Sequence, residues 1–374
     1  MAGSVFGDIF TCSTWGESHG KALGVVVDGC PAGLSLSEED FSPAMKRRSP
    51  GQTIYSTPRS EADEVEILSG VFEGRTTGTP ISLMIRNTSQ RSQDYSEVAG
   101  YYRPGHADFC FDAKYGFRDY RGGGRSSGRE TAARVAAGVI AEKLLGELGI
   151  HTRAYVSQVG PHICKNNIYD GTKESIPSLE QVEKSPLRMP DLEVSKSAEQ
   201  YLSELMSEGD SSGGMIECVV TGVPAGIGDP VNKKLDAMLS QALFSIGAVK
   251  GVEIGDGFKV ASLVGSENND NFIPSKDGIK KATNHAGGIL GGISDGSDIV
   301  LRVAFKPTPS ISKEQKTVNT SGEAVDVSVK GRHDPIIVPR AVVVVEAMVN
   351  LVLADRLLAG MGARIDKVKE FYKS

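Results

Sequence analysis

The sequence predicts a fold that mixes strands and helices outside the dinucleotide-binding α/β class, and three observations bear on it. Strand-like and helix-like segments mix along the chain without the regular βαβα order of a dinucleotide-binding domain. A strand–turn–helix passage occurs twice, with related residues. Helices are expected at 127–149 and 338–358, the second of them buried.

Taken in order, the first strand is expected at 24–28, ending in the turn Gly29-Cys30-Pro31-Ala32-Gly33. Ser37 then caps a helix over 38–47, with Glu38, Glu39 and Asp40 in its first turn. The passage VVDGCPAGL at 26–34 returns as VVTGVPAGI at 219–227, and a second helix is expected over 231–244. Six of the nine residues are identical, which suggests an internal duplication; the alternative is two unrelated turns sharing the same turn chemistry. Further strands are expected at 214–220, 251–254 and 299–304. The polar stretch 165–210, with Pro177, Pro186 and Pro190, reads as a surface insertion with short helices inside a single domain, 1–374.

Composition limits the function. The chain has 374 residues, 39% hydrophobic and 24% charged, the balance of a soluble globular protein. Its net charge of −6 argues against nucleic-acid binding, which needs a basic surface. The segment 341–354 is interrupted by Glu346 and too short to span a bilayer, so no membrane role is expected. No signal peptide is read in the first residues. Five scattered cysteines without a CxxC pair suit a reducing compartment, the cytoplasm, and suggest neither a disulfide framework nor a zinc site. Glycine is abundant, 44 residues, so tight turns and close backbone approaches are many.

The strongest chemical signal is YGFRDYRGGGRSSGRETAAR at 115–134. Arg118, Arg121, Arg125, Arg129 and Arg134 fall within seventeen residues of an acidic protein, around three consecutive glycines and the start of a helix. Ser127 and Glu130 fit a capping box. Free N–H groups at a helix start beside guanidinium forks make an anion site. The bland alternative is a surface loop of solvated arginines. No GxGxxG or GxxxxGK[ST] string accompanies it, so a standard nucleotide loop is not indicated.

His19, His106 and His333 each sit in a glycine-rich polar loop, where acid–base groups are commonly held. No HExxH or Cys/His pairing points to a metal. Lys306-Pro307-Thr308-Pro309-Ser310 follows an apolar strand and suits a phosphate tail, although edge strands often end this way. Lys46-Arg47-Arg48 closes the first helix, either as a second anion grip or as ordinary C-terminal cations.

With these strings in hand, the sequence resembles the chorismate synthase family. The matching strings include GESHG at 16–20, RRSPG at 47–51, ILSGVFEGRTTGTPI at 67–81, NTSQRSQDY at 87–95 and RPGHAD at 103–108. They continue through the 115–138 string, GVEIGDGF at 251–258, AGGILGGISDG at 286–296, KPTPSI at 306–311 and GRHDP at 331–335.

The resemblance implies an α+β fold, with helices sandwiched between two antiparallel sheets and internal pseudo-symmetry, assembled as a homotetramer. It implies a lyase that eliminates phosphate and the C6 proton from 5-enolpyruvylshikimate 3-phosphate in a 1,4-anti sense, giving chorismate in the shikimate pathway. Reduced FMN is the implied cofactor. By resemblance, Arg125, Ser126, Ser127, Gly247, Ala248, Gly291, Lys306, Pro307, Thr308, Pro309, Ser310 and Arg332 contact FMN. Arg48, Arg129 and Arg134 are assigned to the substrate's anionic groups. His19 would protonate the departing phosphate, His106 would stabilise the reduced flavin at its N1/C2 edge, and Asp334 would relay the C6 proton. Many members carry an arginine, attributed to NADPH binding, where this chain has Ile54. That puts a nicotinamide-nucleotide contact in doubt, and the chain also lacks the large insertions of several self-reducing fungal members, so the comparison with the family favours an external flavin reductase over self-reduction by NADPH.

Two other classes are weighed. A phosphate-transferring enzyme would need a divalent metal and a nucleotide loop. A non-catalytic flavin- or anion-binding scaffold would have no use for three loop histidines.

Overall fold

The computed structural model describes residues 3–56, 63–88, 97–164, 169, 171–276, 278–329 and 334–373. Arg332, His333 and most of the 87–95 string lie outside the described residues.

Two five-stranded antiparallel sheets enclose a layer of helices, which is the expected α+β sandwich. The first sheet runs, edge to edge, Val5–Phe6, Thr11–Gly16, Ala22–Asp28, Ile81–Arg86, Val65–Ile67. The second runs Val249–Ile254, Ile299–Phe305, Gly214–Thr221, His151–Val159, His162–Ile163. The Ile299–Phe305 strand alternates buried and half-buried residues, the period-two signature that fixes which face meets the core.

Helix Thr131–Gly146 packs on the first sheet and helix Val338–Ala359 on the second, and the two pack against each other. Helices Ser42–Arg48 and Leu235–Phe244 also pack on the Val338–Ala359 helix. Seventeen of the 22 residues of that helix are buried. Its run Val342 to Val345 is a poor helix former by propensity, and burial on all sides overrides the preference. The buried charges it carries are matched. Glu346 accepts from Arg47 Nη1 at 2.6 Å and from the Ala154 N–H at 2.9 Å. Asp355 accepts three backbone N–H groups, from Asp8, Ile9 and Phe10, at 2.7 to 3.1 Å, tying the helix to the start of the chain.

The duplication reaches further than the nine matched residues. The two VVxGxPAG passages end the central strand of their respective sheets. Gly29 and Gly222 share a left-handed φ, +79° and +77°, and a Cβ on either would collide with a carbonyl oxygen, that of Ile9 or Gly149. Each passage is clasped by a hairpin hydroxyl in the same way. Thr76 Oγ1 accepts from the Leu34 N–H at 3.0 Å and donates to Pro31 O at 2.7 Å. Ser294 Oγ accepts from the Ile227 N–H at 2.9 Å and donates to Pro224 O at 2.6 Å. Backbone bonds on either side repeat too: Gly33 and Gly226 donate to Thr76 and Ser294. Glu73 and Gly291 occupy the same left-handed turn position, φ 49° and 62°. Unrelated turns would not reproduce the hydroxyl clasp.

Two expectations need adjusting. The 165–210 segment is less superficial than its polarity suggests. Its helix Leu192–Ser207 and the preceding turn bury Leu187, Met189, Ala198 and Leu202 in the core, spaced singly among polar residues. The long helix starts at Thr131 after two short 3₁₀ turns, Gly124–Ser126 and Gly128–Glu130, not at 127. Among the described residues no helix is long and apolar enough to cross a membrane.

The two core helices meet closest at Gly138. A Cβ there would lie 2.4 Å from Ala347 Cβ and 2.7 Å from its Cα, and backbone cannot yield as a side-chain tip can. Gly138→Val should therefore cost about 1–3 kcal/mol of stability, the range for overpacked cores, read from the shift in a denaturant unfolding midpoint. An unchanged midpoint would mean the helices can separate without loss.

Candidate active site

The arginine–glycine string gathers at the N-terminus of helix Thr131–Gly146. Helix Asp108–Tyr115 stops at Gly116, whose φ of +82° turns the chain back, and the two 3₁₀ turns then lead into the core helix. Ser127 caps the second turn, accepting from the Arg129 N–H at 3.2 Å. Glu130 does not close the expected capping box. Its carboxylate turns to charge-assisted partners instead: Arg134 Nε at 2.8 Å, Thr14 Oγ1 at 3.0 Å and Arg125 Nη2 at 3.6 Å. Arg125 reaches back to the first sheet, donating to Thr14 Oγ1 at 2.6 Å and to Gly16 O at 3.0 Å.

Arg48 and Arg129 come from separate elements and share one buried carboxylate, Asp63, each taking one of its oxygens. Ser49 Oγ donates to the same carboxylate at 2.8 Å, and Arg129 Nε donates to Asn87 Oδ1 at 3.0 Å. Burial pushes the Asp63 carboxyl up, but Arg48 and Arg129 outweigh it and hold it below the usual carboxylate range. Burial acts the other way on Arg48, lowering it against the pull of Asp63; a guanidinium still stays charged.

The His106 loop is stitched to the 306–310 segment. His106 Nε2 lies 2.8 Å from Ser310 Oγ, and Lys306 Nζ donates to Gly105 O at 3.0 Å. Behind it, Arg103 holds Asp108 in a bidentate pair at 2.7 and 2.8 Å. Burial raises the Asp108 carboxyl, and Arg103 more than offsets this, keeping it low. Asp334 Oδ2 meets Arg340 Nη2 at 2.6 Å, at the start of helix Val338–Ala359. His19 Nδ1 lies 3.0 Å from Ser18 Oγ, and its ring rests on Gly122, where a Cβ would sit 2.4 Å away.

These groups surround one cavity of about 1110 Å³. Among the described residues, eight lysine and arginine side chains and five carboxylates line it, a cationic excess in a chain of net charge −6. Arg48, Arg129 and Arg134 line it, with His106 and Asp334. So do Arg125, Ser126, Ser127, Gly247 and Ala248. Lys306, Thr308, Pro309 and Ser310 line it too, with the Lys306 N–H donating to Ala248 O at 2.9 Å. His19 reaches the wall through Gly122, while Pro307 is not among the lining residues. Gly291 is not brought to the cavity; its left-handed φ serves the hairpin turn. Arg332 lies outside the described residues.

The lining suits anionic ligands. Arg48 Nε and Thr308 Oγ1 are buried without a hydrogen-bond partner, a cost normally offset by a ligand or water. A Cβ on Gly124 or Gly247 would meet nothing within 4 Å, so the backbone there faces open space. The volume exceeds the usual ~300–1,000 Å³ of a single-ligand pocket, leaving room for two. Among the described residues no His/Cys/Asp/Glu group is arranged to hold a metal.

Sequence reasoning missed Asp63, Glu130 as a counter-ion, and Arg340. Asp63 stands in the acidic run 61–66, where nothing marks one carboxylate out. Arg340 had a usable signal: an arginine opening an otherwise apolar helix needs a buried partner.

A family model for chorismate synthase matches residues 10–358. The chain belongs to the chorismate synthase family. It is 64% identical over 379 residues to the chorismate synthase of Lachnoclostridium phytofermentans, with both chains covered in full. It is 54% identical over 359 residues to that of Methanosarcina mazei, covering 96% of this chain and 97% of the other. A crystal structure of a chorismate synthase superposes with a TM-score of 0.78 at 35% identity, covering 98% of this chain and 97% of that one. The chain is a lyase of the shikimate pathway, converting 5-enolpyruvylshikimate 3-phosphate to chorismate with loss of phosphate.

The depressed Asp63 carboxyl gives a signed pH effect. Its pairing stabilises the fold above the unfolded carboxylate value of about 3.9 and is lost as pH falls through the lower folded value. Asp63→Asn should cost about 3–5 kcal/mol near neutrality, the range for a broken buried pair. The deficit should shrink as acid protonates the wild-type carboxylate. Denaturant titrations near neutral pH and below about pH 3 check this; a deficit independent of pH would contradict it.

Proposed function

We propose that the cavity holds 5-enolpyruvylshikimate 3-phosphate beside reduced FMN, and that its own side chains divide the work of binding and proton transfer. The observation that supports this most is the meeting of Arg48, Arg129 and Arg134 with His106 and Asp334 around one cavity with room for two ligands. The substrate carries a phosphate and two carboxylates, and FMN a further phosphate, so cations must be concentrated locally.

Arg125, Ser126, Ser127, Gly247, Ala248, Lys306, Thr308, Pro309 and Ser310 fit the flavin, offering hydroxyls, a lysine and side-chain-free backbone to the cavity, and Pro307 joins them by resemblance. Reduced FMN, when bound, would lend electron density to the breaking allylic C–O bond and recover it by the end of the reaction. Arg48, Arg129 and Arg134 orient the substrate through its anionic groups. His19 donates a proton to the departing phosphate, and Asp334 accepts the C6 proton, so charge balances across the elimination. His106, anchored by Ser310, places its imidazole to stabilise negative charge beside it. Gly291 and Arg332 join the flavin site in this reading by resemblance alone.

The protein is read as a cytoplasmic homotetramer supplied with reduced flavin by a separate reductase. Ile54 is 75% exposed and offers no charge to a nicotinamide nucleotide, which supports an external reductant over NADPH. Exposed apolar side chains at Phe258, Phe272 and Ile279 favour self-association. Light scattering at a tetramer mass supports the assembly, and a monomer mass refutes it.

Incubated anaerobically with substrate and dithionite-reduced FMN, the protein should release chorismate and phosphate together. Folded protein giving neither would overturn the reading. His19→Ala and His106→Ala should each lose roughly ten- to a thousandfold in rate, and Asp334→Asn should bind substrate but turn over slowly. A variant with wild-type turnover removes its residue from the mechanism.

A further inference from the structure

We propose that Arg340 is a positioning residue for catalysis, fixing the Asp334 carboxylate so that it faces the cavity. Arg340 Nη2 holds Asp334 Oδ2 at 2.6 Å, and Asp334 is buried, so this ion pair helps to set its direction. The root of Arg340 is itself immobilised. It stands in the first turn of the Val338–Ala359 helix, directly after Pro339, and Arg188 Nη1 donates to Pro339 O at 2.7 Å. Arg188 also donates to Arg47 O at 2.9 Å, so one buried guanidinium pins the segment carrying Arg340 to the segment carrying Arg48. The Arg340 guanidinium passes close over Gly128, with Nη2 3.7 Å from where a Cβ would be.

Arg340 also lines both the large cavity and a second cavity of about 320 Å³, which Arg47 and Arg188 line as well. It therefore stands in the wall between them. A shorter or neutral side chain would remove this ion pair, loosening the hold on the carboxylate, and would thin that wall. Supporting groups held this tightly are what keep a reacting group within a fraction of an ångström of its working position.

The proposal rests on Asp334 being the proton acceptor, so the test separates the two. Turnover with reduced FMN is measured for Arg340→Gln, Arg340→Lys, Asp334→Asn and the double variant Arg340→Gln/Asp334→Asn, with thermal melts as a check on folding. Arg340→Gln should lower kcat roughly ten- to a hundredfold while KM moves less than about threefold. Arg340→Lys should recover part of the loss, since it keeps the charge but not the fork. In the Asp334→Asn background, Arg340→Gln should add less than about a twofold loss, because the carboxylate it acts through is gone. Should Arg340→Gln fail to fold, Arg340→Lys in both backgrounds gives the same comparison. A normal kcat in Arg340→Gln, or an equal loss in both backgrounds, overturns the proposal and leaves the role of Asp334 standing. Normal turnover in Asp334→Asn overturns the acceptor assignment, and the positioning role with it.

Discussion

One buried carboxylate shared between two guanidinium groups is the contact on which the site depends. Arg48 and Arg129 arrive from different parts of the chain and would repel each other in a low-dielectric interior. Asp63 neutralises one of the two charges and fixes both side chains. The pair then keeps a net positive charge and an unpartnered Arg48 N–H. The same solution recurs around the cavity. Glu130 serves Arg125 and Arg134, Asp108 serves Arg103, and Asp334 meets Arg340. Each framework carboxylate uses part of a guanidinium's donors, and the excess of cations over carboxylates remains for ligands.

The sandwich makes this convergence possible. Two duplicated halves, each built on a central strand ending in Val-Val-x-Gly-x-Pro-Ala-Gly, close over helices Thr131–Gly146 and Val338–Ala359. Both helices begin at the cavity, so Arg129 and Arg134 enter from one and Asp334 and Arg340 flank the start of the other. The close approach at Gly138 sets how near the two helices pack to each other.

Much of this was legible in the residue string. The alternation of Ile299 to Phe305, the apolar run of 338–358 and the repeated turn marked strands, helix and duplication, because local pattern decides those elements. The arginine–glycine string marked a cation-rich stretch, from which the fold brings Arg118, Arg125, Arg129 and Arg134 to the cavity, while Arg121 pairs with Asp119 at the surface. The counter-charges themselves were not legible. Asp63 and Glu130 look like any surface acid until the fold brings arginines from distant segments to them. Nor did composition show that Leu187 and Met189 would be buried, since burial of a single residue in a polar stretch is settled by packing and not by its neighbours in sequence.

The role proposed for the guanidinium groups of Arg48, Arg129 and Arg134 is to receive the anionic groups of the substrate inside this cavity. A crystal structure with 5-enolpyruvylshikimate 3-phosphate and FMN bound tests it most directly. Phosphate or carboxylate oxygens are expected at about 2.7–2.9 Å, the distance of charge-assisted bonds, from nitrogen atoms of these three side chains. Substrate lying outside the cavity, with the three arginines still bound only to Asp63, Glu130 and their other protein partners, would contradict it.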